Sequence, residues 1–226
     1  MPKYSILMPV LMQYEYQYNM TIAAINNILN FSFNFELIII HSMANYHGED
    51  IKKLLREEDL YIPYDNNPSQ VEVLNRAIKQ VKGDYIILIG NDNFVHQDWL
   101  KQIEKYLKNK DYHILACCSH RNFMEEPLRY SAFSFVNFQG VTIPRKIFDD
   151  IGLFDEKLPF YYWEQDFDKR LDLKGYRVGI VRDSLMTTPQ SMTRMNAKLP
   201  RGIKNWWTEK AMKKEIAYFK EKWNEV

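Results

Sequence analysis

The 226-residue chain is 46% hydrophobic and 15% aromatic, enough to bury a substantial core, and its length suits one large α/β domain better than two small ones. Thirty basic and 29 acidic residues leave a formal charge of +1, which excludes whole-chain electrostatics as a basis for binding nucleic acid or a membrane. A charged partner must be met by a local patch.

No apolar run approaches the roughly 18 to 20 residues of a membrane helix, and the start, MPKYSILMPVLMQYEY, is broken by Pro9 and makes a poor signal peptide. The expectation is a soluble, cytoplasmic protein without a transmembrane segment. Cys117 and Cys118 are neighbours, their Cα atoms about 3.8 Å apart across a trans peptide, which favours two reduced, buried thiols over a bridge. Without paired His spacing they make no structural zinc site.

Short apolar runs alternate with amphipathic stretches through the first half, the pattern of βαβ units feeding a mostly parallel sheet. Strands are expected at Ser5–Met8, Leu37–Ile40, Leu60–Ile62, Tyr85–Ile89 and Tyr112–Cys117. The best helix spans Ser69–Lys82, where Val71, Leu74, Ile78 and Val81 recur at steps of three and four and Gly83 supplies a stop. Asp84 then opens YIILI, read as a central buried strand. The second half changes character: FSFVNF reads as an aromatic extended stretch, a short helix follows Pro144, GLFDE turns, and another helix begins near Trp163. The 33 residues from Arg194 to Val226 carry nine Lys/Arg and four Glu. There Met212, Ile216, Phe219 and Trp223 mark the apolar stripe of a terminal helix. Its charges read as a solvated face or as a basic lid over phosphates.

The chemistry-bearing residues cluster at two places. In ILIGNDNFVHQDWL, polar residues follow the buried strand, and open α/β sheets bind ligands at the carboxyl ends of their strands. Asp92 there suits a hard, oxygen-liganded divalent ion that neutralises a departing diphosphate, although an Asp at a strand end is also a common turn former. In PFYYWEQDFDKRLDLKG, Glu164 and Asp166 stand near a helix start, where they complement the dipole. They also follow four aromatic residues whose flat faces suit sugars, which places a carboxylate as a candidate general base.

Taken in order, SILMPV, ELIIIHSMAN, the Asn67–Asn75 spacing with Ser69 where Gly is usual, KGDYIILIGNDNFVHQDWL, GLFDEKLPFYYWEQDFDKRLDLKGYRV and the closing FKEKW resemble the GT-A glycosyltransferases of family 2 over nearly the whole chain. The resemblance implies an α/β GT-A fold, Rossmann-like, as one domain over 1–226. Residues 1–95 would form the nucleotide-sugar half, 96–193 the acceptor half and 194–226 a basic terminal segment and helix. It implies a nucleotide diphosphate sugar as donor, a glycan or other hydroxyl acceptor, and a Mn or Mg ion. Donor contacts would come from Pro9, Val10, His41, Asn67, Asn75, Asn91 and Asp92, with Asp92 also the metal ligand. The family's carboxylate six residues before an Arg-Leu pair falls on Glu164, counted back from Arg170. Glu164 is then the base of an inverting displacement and Asp166 a helix cap or supporting residue. Two residues apart on a helix, the two carboxylates point about 200° apart; if the helix starts after Asp166, that residue takes the base role instead.

The chain departs from the family in three ways. His41 stands where Asp usually binds the nucleotide base. The metal motif is reduced to Gly90, Asn91 and Asp92. The late His of the metal site is replaced by the LMTTPQS stretch, after which Arg194, Lys198 or Arg201 could meet a diphosphate. Three rival readings stay open: a glycosyltransferase acting on a hydroxylated base in DNA, met by the basic and aromatic carboxy-terminal segment, where Trp206 and Trp207 read as packing residues before acceptor contacts; a nucleotidyltransferase; and a non-catalytic nucleotide-sugar-binding module. His113 and His120 carry no assigned role. The oligomeric state is not legible.

Overall fold

A computed structural model of the chain describes residues 3–119, 125–188 and 208–224. Four parallel strands, β1 (Tyr4–Leu11), β2 (Phe35–Ser42), β3 (Leu60–Tyr64) and β4 (Tyr85–Ile89), lie in the order β3-β2-β1-β4. Their near-continuous apolar runs follow from burial on both faces. Along β2, Leu37 and Ile39 join one core while Ile38 and Ile40 join the other, and in β4 Ile87 and Ile89 oppose Ile86 and Leu88 in the same way.

Helix α1 (Glu15–Phe31) covers the first face with Ala24, Ile25 and Ile28. After the short α2 (Gly48–Lys52), helix α3 (Gln70–Ile78) covers the second with Val71, Leu74, Ala77 and Ile78. Ser69 caps α3, its hydroxyl accepting the Glu72 N–H at 3.1 Å. The helix is shorter than the periodicity predicts, since the chain leaves it at Lys79 and Val81 packs from the segment after the turn.

Beyond β4 the sheet becomes mixed. The two-residue β5 (Phe94–Val95) and helix α4 (Trp99–Glu104) precede β6 (Ile114–Cys118) and β7 (Leu128–Ser131). Strand β8 (Gln139–Pro144) lies antiparallel between β4 and β6, and β9 (Val178–Thr187) runs parallel to β6. β5 and β7 each pair antiparallel with β9. Six of the nine strands in this sheet, β1 to β4 with β6 and β9, therefore point one way.

FSFVNF is not extended. Its core is helix α5 (Phe133–Val136), and the reason lies elsewhere in the chain: the Asp168 carboxylate accepts the Phe133 and Ser134 N–H groups at 2.6 and 3.0 Å, capping the turn from outside. Phe133 and Val136, three apart, are then both buried. The alternation of Phe and Ser imitates a strand period, and tertiary capping overrides it.

Helix α6 (Arg145–Ile151) leads through a turn to α7 (Trp163–Leu173), and α8 (Glu209–Trp223) closes the described chain. On α8, Phe219 is buried as its stripe predicts, but the other buried position is Glu215. No described helix is long and apolar enough to cross a membrane.

Candidate active site

A cavity of about 1080 Å³ opens at the carboxyl ends of the co-directional strands, the place an open α/β sheet offers to ligands. Its floor is Pro9–Leu11 at the end of β1, Ser42 at the end of β2, Gly90–Asn93 after β4, Ser119 after β6 and Thr187 at the end of β9. One wall comes from Asn67, Pro68 and the start of α3; the other comes from α5 and the following residues Asn137 to Gln139, the loop Phe160–Tyr162, Glu164 and Gln165 of α7, and Met212 of α8.

Among the expected donor contacts, Pro9, Val10, Asn67, Asn91 and Asp92 line this cavity. Asn91 donates its Nδ2–H to the Thr21 hydroxyl of α1 at 2.8 Å, which fixes it beside the strand end. The Asp92 carboxyl is raised above the usual carboxylate range because burial penalises its charge, a shift partly countered by a bond from its own backbone N–H. Gly90 leaves room for it: a Cβ there would sit 2.9 Å from Asp92 Oδ1.

His41 and Asn75, expected as donor contacts, do not line this cavity. His41 is fully buried and its Nδ1 lies 2.8 Å from the Tyr61 hydroxyl of the adjacent strand. Asn75 is an internal staple: its amide donates to the Phe154 carbonyl at 2.9 Å and accepts the Phe154 N–H at 3.1 Å. Burial, with the nearby His47 charge second, pulls His41 down to about 4. The unfolded chain therefore takes up a proton near its ordinary value of about 6.5 while the native state stays neutral. Stability is full above about pH 6.5 and is lost as the pH falls toward 4, by on the order of 3 kcal/mol. Denaturant titrations at pH 7 and pH 4.5 should show a smaller loss for His41→Gln than for wild type; an equal loss in both would contradict this.

Helix α7 begins at Trp163, so both of its acidic candidates are helical. Tyr162, at φ 61°, makes a left-handed turn just before it, and the Asp166 N–H closes the first helical bond to the Tyr162 carbonyl at 2.9 Å. Glu164 consequently faces the cavity, where its Oε1 accepts from Asn137 Nδ2 at 2.7 Å. Asp166 faces the protein instead. It is fully buried, bound to Arg170 Nε at 2.9 Å, Lys222 Nζ at 2.6 Å and Trp223 Nε1 at 3.0 Å, so it joins α7 to α8 and does not line the cavity. With α7 starting before it, Asp166 is a supporting residue and does not share the cavity with Glu164.

No group of three or more His, Cys, Asp or Glu side chains able to hold a metal occurs among the described residues. One half-buried carboxylate at a cavity floor still fits a Mg²⁺- or Mn²⁺-type ion, which commonly takes one or two carboxylates and completes its shell with phosphate oxygens and water. Arg194, Lys198, Arg201, Trp206, Trp207 and His120 lie outside the described residues, as does the LMTTPQS stretch from Pro189 on.

Sequence reasoning missed Asn137, which orients Glu164, and Asn93, whose Nδ2 donates to the Phe138 carbonyl at 2.5 Å across the cavity floor. Asn137 sits inside the misread FSFVNF. Asn93 was visible as the residue after Asp92 and passed over because its neighbour carries the charge.

A mixed sheet of this order with a cavity at the carboxyl ends of its strands, lined by one carboxylate on its floor and a second on its wall, is the arrangement of the GT-A class. Residues 5–170 match the model of glycosyl transferase family 2. The chain belongs to that family. It is 27% identical over 169 residues to an uncharacterized glycosyltransferase of Rickettsia prowazekii, an alignment covering 66% of this chain and 51% of the relative. The chain thus spans about half the length of the curated relative it matches. Among solved structures it is similar to Staphylococcus aureus TarS 1-349 in complex with UDP-GlcNAc, at 14% identity and a TM-score of 0.64, covering 87% of this chain and 62% of that one. It is also similar to the mannosyltransferase PcManGT of Pyrobaculum calidifontis in complex with GDP-Man and Mn²⁺, at 14% identity and a TM-score of 0.61, covering 84% and 58%.

Proposed function

We propose that the chain transfers a sugar from a nucleotide diphosphate sugar to an acceptor hydroxyl, with inversion at the anomeric carbon. The observation that carries this is the pairing of Asp92 and Glu164 on the floor and the acceptor wall of one cavity. The strand ends at Pro9, Val10 and Ser42, with Asn67 ahead of α3, would receive the nucleotide, and Asn91 and Asp92 the diphosphate. Asp92 would hold a divalent ion together with phosphate oxygens, and such an ion, when bound, neutralises charge on the leaving diphosphate. The raised Asp92 carboxyl supports this, because a cation at that point replaces the missing solvation of its charge.

Glu164, held by Asn137, takes the proton of the acceptor hydroxyl as that oxygen attacks from the side opposite the diphosphate. A retaining route has no need of a base there. The aromatic loop Phe160–Tyr162 beside Glu164 supports a saccharide acceptor over a nucleic acid, and the whole of 1–226 serves as one unit in this reading. A thermal-shift panel of nucleotide sugars with and without Mn²⁺ names the donor, since a ligand bound only by the native state raises the melting temperature by mass action. A clear shift with one sugar nucleotide and an inverted anomer in the product are expected; a retained anomer would contradict the base role of Glu164.

A further inference from the structure

Helix α8 lies wholly beyond residue 170, where the family match ends, yet it forms part of the cavity. Its Glu215 is buried, and one oxygen, Oε2, accepts two successive backbone N–H groups, those of Phe160 at 3.0 Å and Tyr161 at 2.7 Å. Phe160 and Tyr161 both line the cavity just ahead of Glu164. A buried carboxylate is costly unless donors meet it, and here the donors are the main chain of the loop that carries the acceptor wall. Three further ties join α8 to α7 and to the turn ahead of it: Trp223 Nε1 and Lys222 Nζ reach Asp166, and Lys222 also reaches Asp155 at 2.7 Å.

We infer that Glu215 is a positioning residue of the reaction proposed above: by clamping the Phe160 and Tyr161 amides it fixes the aromatic loop and the left-handed turn at Tyr162 from which Glu164 is presented. The helix that carries it is thereby part of the catalytic architecture of this chain. The inference rests on the transfer reading for its kinetic consequence, but the clamp itself is separately observable.

The same oxygen accepts both amides, so a glutamine carbonyl oxygen can replace it, whereas alanine removes the acceptor and aspartate, one methylene shorter, falls short of it. In the full chain, Glu215→Ala and Glu215→Asp should lower the rate of nucleoside diphosphate release from the donor sugar nucleotide about 10- to 100-fold, the scale of a misplacement of about 1 Å. Donor KM should stay within about twofold, and Glu215→Gln should recover most of the rate. Amide hydrogen exchange supplies the readout that needs no turnover: Phe160 and Tyr161 should lose protection in Glu215→Ala and Glu215→Asp while the amides of β1 and β4 keep theirs. If the alanine variant does not fold, the aspartate variant decides. Unchanged protection at Phe160 and Tyr161, or a rise in donor KM in parallel with the fall in rate in all three variants, would overturn the positioning role. Wild type inactive on every sugar nucleotide while the exchange pattern holds would instead overturn the transfer reading and, with it, the kinetic half of this inference.

Discussion

Glu164→Gln should lower transfer by about 10² to 10⁴ while leaving donor affinity within about twofold. A general base acts on the acceptor hydroxyl in the transition state, so its loss is felt in turnover and not in the binding of a donor that sits elsewhere in the cavity. Glutamine keeps the volume and can still hold the Asn137 amide and the acceptor hydroxyl, but it cannot receive the proton. The predicted loss corresponds to about 2.7 to 5.4 kcal/mol of barrier. Turnover and donor KM measured on the same preparations check it. Near-normal turnover would remove Glu164 from the base role, and a large rise in donor KM would move it to the donor side.

Asp166→Asn should be damaging for a different reason. Asp166 is fully buried between Arg170 and Lys222 and also accepts from Trp223. Removing one partner of a buried ion pair leaves its cations uncompensated, which commonly costs about 3 to 5 kcal/mol. The Arg170 and Lys222 side chains retain 16% and 27% exposure, so water relieves part of this and a loss of about 2 to 4 kcal/mol is the better figure. At roughly 2 to 4 °C per kcal/mol for a chain of this size, the melting temperature should fall by about 4 to 16 °C. Donor KM and turnover, measured well below that temperature, should change less than in Glu164→Gln. An unshifted melting temperature with turnover abolished would return Asp166 to the catalytic role.

How much of this was legible depended on whether the cause of each feature is local. The run YIILI before GND, bounded by Gly83 and Asp84, reads as a central strand with polar residues at its carboxyl end, and it is one. The steps from Val71 to Ile78 mark α3, and Ser69 marks its start. The count of six back from Arg170 reaches Glu164, and because α7 starts at Trp163 the 200° separation from Asp166 holds. The features that escaped depend on distant partners. α5 exists because Asp168 caps it from another helix. β8 and β9 complete the sheet by pairing with strands far away in sequence. α1 carries its apolar contacts inside a Tyr- and Asn-rich stretch that blurs the helical period, and Glu215 reads as one more solvated charge on a lysine-rich helix. His41 was drawn to the nucleotide by its place at a strand end. Its side chain instead turns to Tyr61, which the neighbouring strand supplies.

The most direct test of the central claim is a calorimetric titration of the matching nucleoside diphosphate into wild type and Asp92→Asn, each with Mn²⁺ or Mg²⁺ and with a chelator. Among the described residues, Asp92 is the one cavity-floor carboxylate, and the donor assignment depends on it, so wild type should bind at least tenfold more tightly with the metal than without it. In Asp92→Asn that metal dependence should shrink to a small factor. Equal affinity with and without metal in both proteins would contradict the account.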